Sequence, residues 1–168
     1  MTHQAQTLRT RHIAVFTRNY EQHLVSAVER SRTDPNKPGL FRSSLRWVTA
    51  AQVAKPETPI PIYFVPIKSE DGLITYVARL IKARLDVNSF TEDEIRDLSV
   101  DTTKQEGFWE VDGKKRVQTF YLITHCRKLE PSERVPFTSL RKYSDGEPIA
   151  ENYGYSYVLV QPHPTLIV

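Results

Sequence analysis

Ile60-Pro61-Ile62-Tyr63-Phe64-Val65-Pro66-Ile67-Lys68, the turn Ser69-Glu70-Asp71-Gly72 and the return Leu73–Leu85 form the stretch that decides the fold. Both arms are rich in β-branched and aromatic residues, and the polar turn ends in glycine, so the segment reads as a β-hairpin. In the returning arm Ile74, Tyr76, Ala78 and Leu80 alternate with Thr75, Val77, Arg79 and Ile81. Both sets are largely apolar at first, which predicts a strand buried on both faces near its start and exposed toward Lys82 and Arg84. Pro56, Pro59 and Pro61 place the start of the first arm at a sheet edge or a bulge. Arg116–Leu129 and Tyr155–Val160 repeat the β-rich character late in the chain. Long β stretches separated by short helical ones predict a small, strongly curved sheet in an α+β domain.

Working outward, His12–Phe16 is a first strand. Thr17 or Asn19 can cap the helix that follows, with Tyr20, Leu24 and Val28 recurring at i, i+4 and i+8 on its apolar face. Asp34-Pro35-Asn36-Lys37-Pro38-Gly39 is a loop. Ser43–Ala54 suits a helix with Trp47 and Ala51 on one side, or a strand through Leu45-Arg46-Trp47-Val48. Thr91-Glu92-Asp93-Glu94 reads as a capping box opening a helix through Leu98, with acids at the positive helix end. Asp112-Gly113 between Phe108–Val111 and Arg116–Leu129 marks another hairpin. Pro136–Tyr143 predicts one or two helical turns. Helices are expected near 19–31, 91–98 and 137–143.

The composition sets outer limits. A chain of 168 residues with 39% hydrophobic and 26% charged residues fits one domain, here taken as 1–168 with a core from about Arg11 to Val160. No apolar run is long enough to span a bilayer, and the first residues lack the zones of a secretory signal. With a single cysteine, Cys126, no internal disulfide can form, so the expected compartment is the cytoplasm, with no membrane partner.

Charge is uneven. Residues 1–50 hold eight Lys/Arg against three acids, a net of +5, and the remaining 118 hold fifteen against seventeen, a net of −2. Seven of the eight are arginine, whose planar fork matches phosphate and guanine edges. That points to a polyanionic partner, nucleic acid first, while a merely solvated basic surface fits the same count.

Signatures of chemistry are sparse. The six glycines form no phosphate-cradling loop. No His or Cys pair has metal-ligand spacing, no serine sits in a nucleophile elbow, and Glu92, Asp93 and Glu94 read as helix-start electrostatics. Catalytic, metal and cofactor residues are therefore assigned to none. His125 and Cys126, adjacent on a strand, are expected to point to opposite faces as a surface histidine and a buried thiol. What remains is aromatic and cationic. Trp47 directly follows Arg46, with Arg42 nearby; Trp109 follows Phe108 at the end of a polar loop; Tyr63-Phe64 lies in the central strand. Aromatic faces beside arginines suit a single-stranded or flipped base, and they equally suit a core of this size.

The order of Ile13–Phe16, Tyr20–Arg30, Trp47 and the hairpin Ile62-Tyr63-Phe64-Val65…Gly72…Tyr76-Val77-Ala78 resembles the PUA-like group, and within it the EVE, YTH and ASCH domains. Phe120–Leu129 followed by Val135-Pro136-Phe137-Thr138-Ser139-Leu140-Arg141 resembles their late strand, Pro-containing turn and short helix. The resemblance implies a mixed, mainly antiparallel β-barrel, closed or nearly so, with a few short helices around it. It also implies a pocket between barrel and helices, and binding of RNA or DNA carrying modified bases. By position, Trp47 and Trp109 would be pocket walls, Tyr63 a polar-tipped aromatic at the floor, and Arg42 and Arg46 phosphate or base-edge contacts; Arg9 and Arg11 would extend a positive rim. Pro59-Ile60-Pro61 stands where EVE domains commonly carry Gly-Asp. The other readings are a small ASCH-type nuclease or nucleotide-processing enzyme and a structural or interaction domain.

Overall fold

In the computed structural model, which describes residues 12–86, 90–100, 110–111, 115–154 and 157–168, a first strand β1 (Ala14–Asn19) leads into helix α1 (Glu21–Thr33). Strand β2 (Gly39–Ser43) and helix α2 (Val48–Val53) follow, then the hairpin strands β3 (Ile60–Pro66) and β4 (Tyr76–Arg84). Helix α3 (Glu92–Leu98) precedes a two-residue pair, β5 (Glu110–Val111) and β6 (Lys115–Arg116), and the long strand β7 (Thr119–Lys128). Two 3-10 turns, Pro131–Glu133 and Phe137–Ser139, connect to the closing strand β8 (Tyr157–Val160).

The main sheet has the order β2-β7-β4-β3-β1-β8. Only its β1–β3 ladder is parallel, so the sheet is mixed and mainly antiparallel, in an α+β fold. Among the described residues the outer strands β2 and β8 share no ladder, so the barrel is not closed by hydrogen bonds. The sheet nevertheless curls far enough for Trp47, which follows β2, to stack on Tyr157 of β8.

Strand alternation assigns each face. Val15, Ile62, Phe64, Tyr76, Ala78, Leu80, Tyr121 and Ile123 point to one side, where α1 and α2 pack with Leu24, Ala27, Trp47 and Ala50. Phe16, Tyr63, Val65 and Val77 point to the other, covered by Leu129, Phe137, Leu140, Ile149 and Leu166 from the C-terminal third. A third cluster places Ile95 of α3 against Leu40, Phe120 and Leu122. The expectation that β4 is buried on both faces near its start therefore holds.

Local chemistry explains the elements. Gly72 adopts φ +64, which L side chains rarely enter, and an added Cβ would lie 3.2 Å from the Phe137 ring. Thr91 Oγ1 accepts from the Glu94 N–H at 3.1 Å and caps α3, as its sequence predicts. Asn19 Oδ1 accepts from the Tyr20 N–H at 2.8 Å at the start of α1. The buried stripe of that helix is His23, Leu24, Ala27 and Ser31, rotated from the expected Tyr20, Leu24 and Val28. Ser43–Ala54 resolves into the end of β2 followed by α2, and Pro136–Tyr143 yields one 3-10 turn. The Asp112-Gly113 turn lies outside the described residues, while Glu110 pairs with Arg116 and Val111 with Lys115 on either side of it.

Candidate functional site: an aromatic stack at the open seam of the sheet

Trp47 is fully buried at the corner between β2 and α2. Its backbone N–H donates to Thr119 Oγ1 at 3.1 Å, and its Nε1 donates to Ser43 Oγ at 3.2 Å. Thr119 Oγ1 in turn donates to the Leu45 carbonyl at 2.8 Å, and the Leu45 N–H donates to Ser43 Oγ at 3.1 Å. Two small hydroxyl side chains thus pair the polar groups of a tight corner that would otherwise be buried without partners.

The indole is held between two phenol rings. Tyr121 of β7 stacks on it at 4.2 Å and 21°, and Tyr157 of β8 at 4.7 Å and 11°. Two rings lying nearly flat within 5 Å of one indole would overlap if they shared a face, so they cover opposite faces. Beyond Tyr121 the stack continues to Phe41 at 5.4 Å, and Phe41 packs against Phe64 at 6.2 Å. The column runs from the barrel interior to the seam between the outer strands.

The inner and outer phenols differ in how they are secured. The Tyr121 hydroxyl accepts from Asn19 Nδ2 at 3.1 Å, and Asn19 Oδ1 lies 3.0 Å from His23 Nδ1. Burial pushes the Tyr121 hydroxyl well above its ordinary pKa, with the Asn19 bond acting in the opposite direction. Tyr157 is partly exposed, and burial, opposed by the nearby Ala50 N–H, pushes its pKa up to about 12. Its hydroxyl makes no well-formed hydrogen bond among the described residues. The outer ring lacks the side-chain tie that joins Tyr121 to Asn19.

The other sequence-derived candidates disperse. Tyr63 is fully buried on the opposite face of the sheet, where its hydroxyl accepts from the His163 N–H at 3.0 Å. With the sheet between them, Tyr63 cannot floor a pocket walled by Trp47. Arg42 is only 7% exposed within β2, so its side chain belongs to the interior rather than to a phosphate-facing rim. Arg46 is exposed and adjacent to Trp47, as a rim residue requires. Trp109, Arg9 and Arg11 lie outside the described residues. The structure adds Tyr121, Tyr157, Asn19 and His23, for which no sequence motif exists: only the curl of the sheet brings β8 to Trp47. Among the described residues no cluster of three or more His, Cys, Asp or Glu side chains could hold a metal ion, and no helix is long and apolar enough to cross a membrane.

No family model matches the chain, and no curated protein matches it. Among solved structures the chain is similar to the YTH domain of Pho92 in complex with m6A, at 13% identity over 88% of this chain and 79% of that one, with a TM-score of 0.44. It is also similar to the YTH domain of the Zygosaccharomyces rouxii MRB1 protein in complex with N6-methyladenosine RNA, at 12% identity over 92% of this chain and 81% of that one, with a TM-score of 0.39.

Proposed function

We propose that this domain is a nucleic-acid-binding module that reads a base, in the first instance a modified one, by stacking it on Trp47. The observation that carries the reading is the unequal sandwich around the indole. A planar ring already occupies the outer face of Trp47 at stacking geometry, and that ring is partly exposed and poorly hydrogen-bonded. A base presents a flat π face of the same kind, and base–aromatic stacking contributes about 1–3 kcal/mol per base. Tyr157 is then a placeholder that the base replaces, while Tyr121, tied to Asn19, remains as the fixed inner wall. Arg46 supplies a rim cation, and Trp109 remains a candidate second wall.

The experiment is a fluorescence titration with short single-stranded RNAs that differ only in one adenine or N6-methyladenine, the base named in both similar structures. The indole emission should quench on binding, and Tyr157→Ala should bind at least as tightly as the parent because no ring has to be displaced. Binding that ignores the base and leaves the emission unchanged would favour a structural or interaction domain. Turnover of the RNA in chelator would favour the nuclease reading.

A further inference from the structure

Strand β7 breaks its two-residue alternation near its end. Tyr121 and Ile123 face the helices, but the next residue to do so is Cys126, three positions on. The ladder with β4 records the same step: Val77 pairs with Arg127 and Arg79 with Thr124, so three residues of β7 advance against two of β4. His125 sits at this bulge with φ +53, the left-handed region, where a non-glycine residue costs on the order of 1–3 kcal/mol. Two contacts hold the backbone there: the His125 N–H donates to the Pro35 carbonyl at 3.3 Å, and the Cys126 N–H donates to Ser31 Oγ at 2.9 Å.

The bulge sets the imidazole aside from the core and into a cleft of about 590 Å³ between α1 and the β4–β7 pair. Arg32, Arg79, Arg127 and Lys128 line it, against a single carboxylate, Glu130. Arg32, Arg127 and Lys128 each pair near the surface with a glutamate, Glu29, Glu133 and Glu21 respectively. The exposed Arg32 and Lys128 pairs are each worth about 0–1 kcal/mol and exchange readily for a stronger anion, whereas Arg127 is held more firmly, bidentate to Glu133 and donating to the Ile167 carbonyl at 2.7 Å. Arg79 forms no ion pair among the described residues. It lines the cleft together with His125, whose Nδ1 lies 3.0 Å from Thr124 Oγ1; burial, and then the Arg79 charge, hold the imidazole below its ordinary pKa.

We propose that this cleft binds a backbone phosphate of single-stranded nucleic acid, with Arg79 and His125 as the contacting side chains and the three flanking cations as a collar. No Phe, Tyr or Trp ring lines the cleft, and its cationic lining suits the charged backbone. At ~3.4 Å per residue, His125 lies about 14 Å along β7 from Tyr121, and the base position lies beyond Trp47 from that ring, so a single strand several nucleotides long would join the two sites. The identity of the ligand rests on the base-reading proposal; the anion chemistry of the cleft does not.

The test compares the parent with Arg79→Gln and His125→Gly in RNA binding across a salt series. Arg79→Gln should weaken binding several-fold and reduce the salt slope by about one. His125→Gly removes the ring together with its strained conformation, so affinity should fall while the melting temperature holds or rises. Both variants should keep the parent's preference between modified and unmodified bases. An unchanged affinity and slope in Arg79→Gln overturns the proposal. Loss of base preference in the parent, with the Arg79 effect intact, sinks base reading and leaves the phosphate site standing. If the parent binds no RNA, inorganic phosphate titrated against the His125 ring resonances separates the remaining cases. A shift seen in the parent and absent in Arg79→Gln would mean that the cleft takes small phosphates, which also overturns the nucleic-acid assignment.

Discussion

The two faces of the sheet both bury aromatic rings, and they hold them by different means. On the face away from the helices, Phe16 and Phe137 stack at 5.5 Å with the Arg18 guanidinium 4.9 Å above Phe137, and Tyr63 spends its one hydroxyl on a backbone N–H. Phe16, Tyr63 and Phe137 are buried there among residues of the C-terminal third, with Tyr153 partly exposed at the edge. On the helix face the rings form a column laced with polar groups: Ser43, Thr119, Asn19 and His23 fix its inner part, and its outermost ring is left partly exposed. Aromatic content alone does not distinguish a core from a recognition site. On the proposal made above, the distinguishing feature is a stack whose inner rings are tied by polar side chains and whose last ring reaches the surface without such a tie.

Truncation separates the faces most sharply. Trp47→Ala and Phe137→Ala should each cost about 3–5 kcal/mol in denaturant unfolding, as buried aromatic deletions do. Once folded, only Trp47→Ala should lose RNA. If Phe137→Ala also abolishes binding in the folded protein, the division between the faces fails.

Gly72 tests the support of the second face. Gly72→Ala combines an unfavourable φ with a close contact to Phe137, and should cost about 1–3 kcal/mol. RNA affinity in that variant should stay at the parent value.

A smaller change probes the polar corner. Thr119→Val keeps the volume while removing the hydroxyl that accepts from the Trp47 N–H and donates to Leu45. Leaving those groups without a partner should cost about 1–3 kcal/mol. The loosened indole should also show as a shift in its emission, which substitutions on the face away from the helices should not produce.

The smallest effects are protonic. Burial pushes the Cys126 thiol up to about 12, so at pH 8 it stays a thiol and should resist alkylation until the protein unfolds. His125 has its folded pKa below the unfolded value. Its contribution to stability is therefore present above the unfolded pKa and is lost as pH falls from there through the folded value. His125→Gly should flatten that part of the stability profile.

These contrasts also explain what could be read from sequence. The hairpin, α1, the Thr91 cap and the Pro136 turn were legible because each depends on local chemistry: alternation, a capping hydroxyl, a proline that pre-sets the backbone. Strand β2 was hidden. Gly39 and its preceding proline signal a loop, and only pairing with β7 makes Gly39–Ser43 a strand. The rotation of the α1 stripe toward His23 and Ser31 follows from partners on β1 and β7, Asn19 and the Cys126 N–H. Adjacent His125 and Cys126 were expected on opposite faces of a regular strand. The buried thiol fits that expectation; the bulge does not, because it exists only in the register between two strands. Trp47 was legible as an aromatic beside an arginine. Its partners Tyr121 and Tyr157 were not, because they lie far along the chain and meet it only when the sheet curls.

The most direct measurement follows the Trp47 emission in a Trp109→Phe background while RNA carrying one N6-methyladenine is added, with Tyr157 present and with Tyr157→Ala. A base that replaces Tyr157 on the indole predicts saturable quenching in both proteins, with affinity in Tyr157→Ala equal to or tighter than in the parent. Emission that stays constant while RNA binds, or a Tyr157→Ala protein that loses binding as fully as Trp47→Ala, would contradict it and return the whole aromatic column to the core.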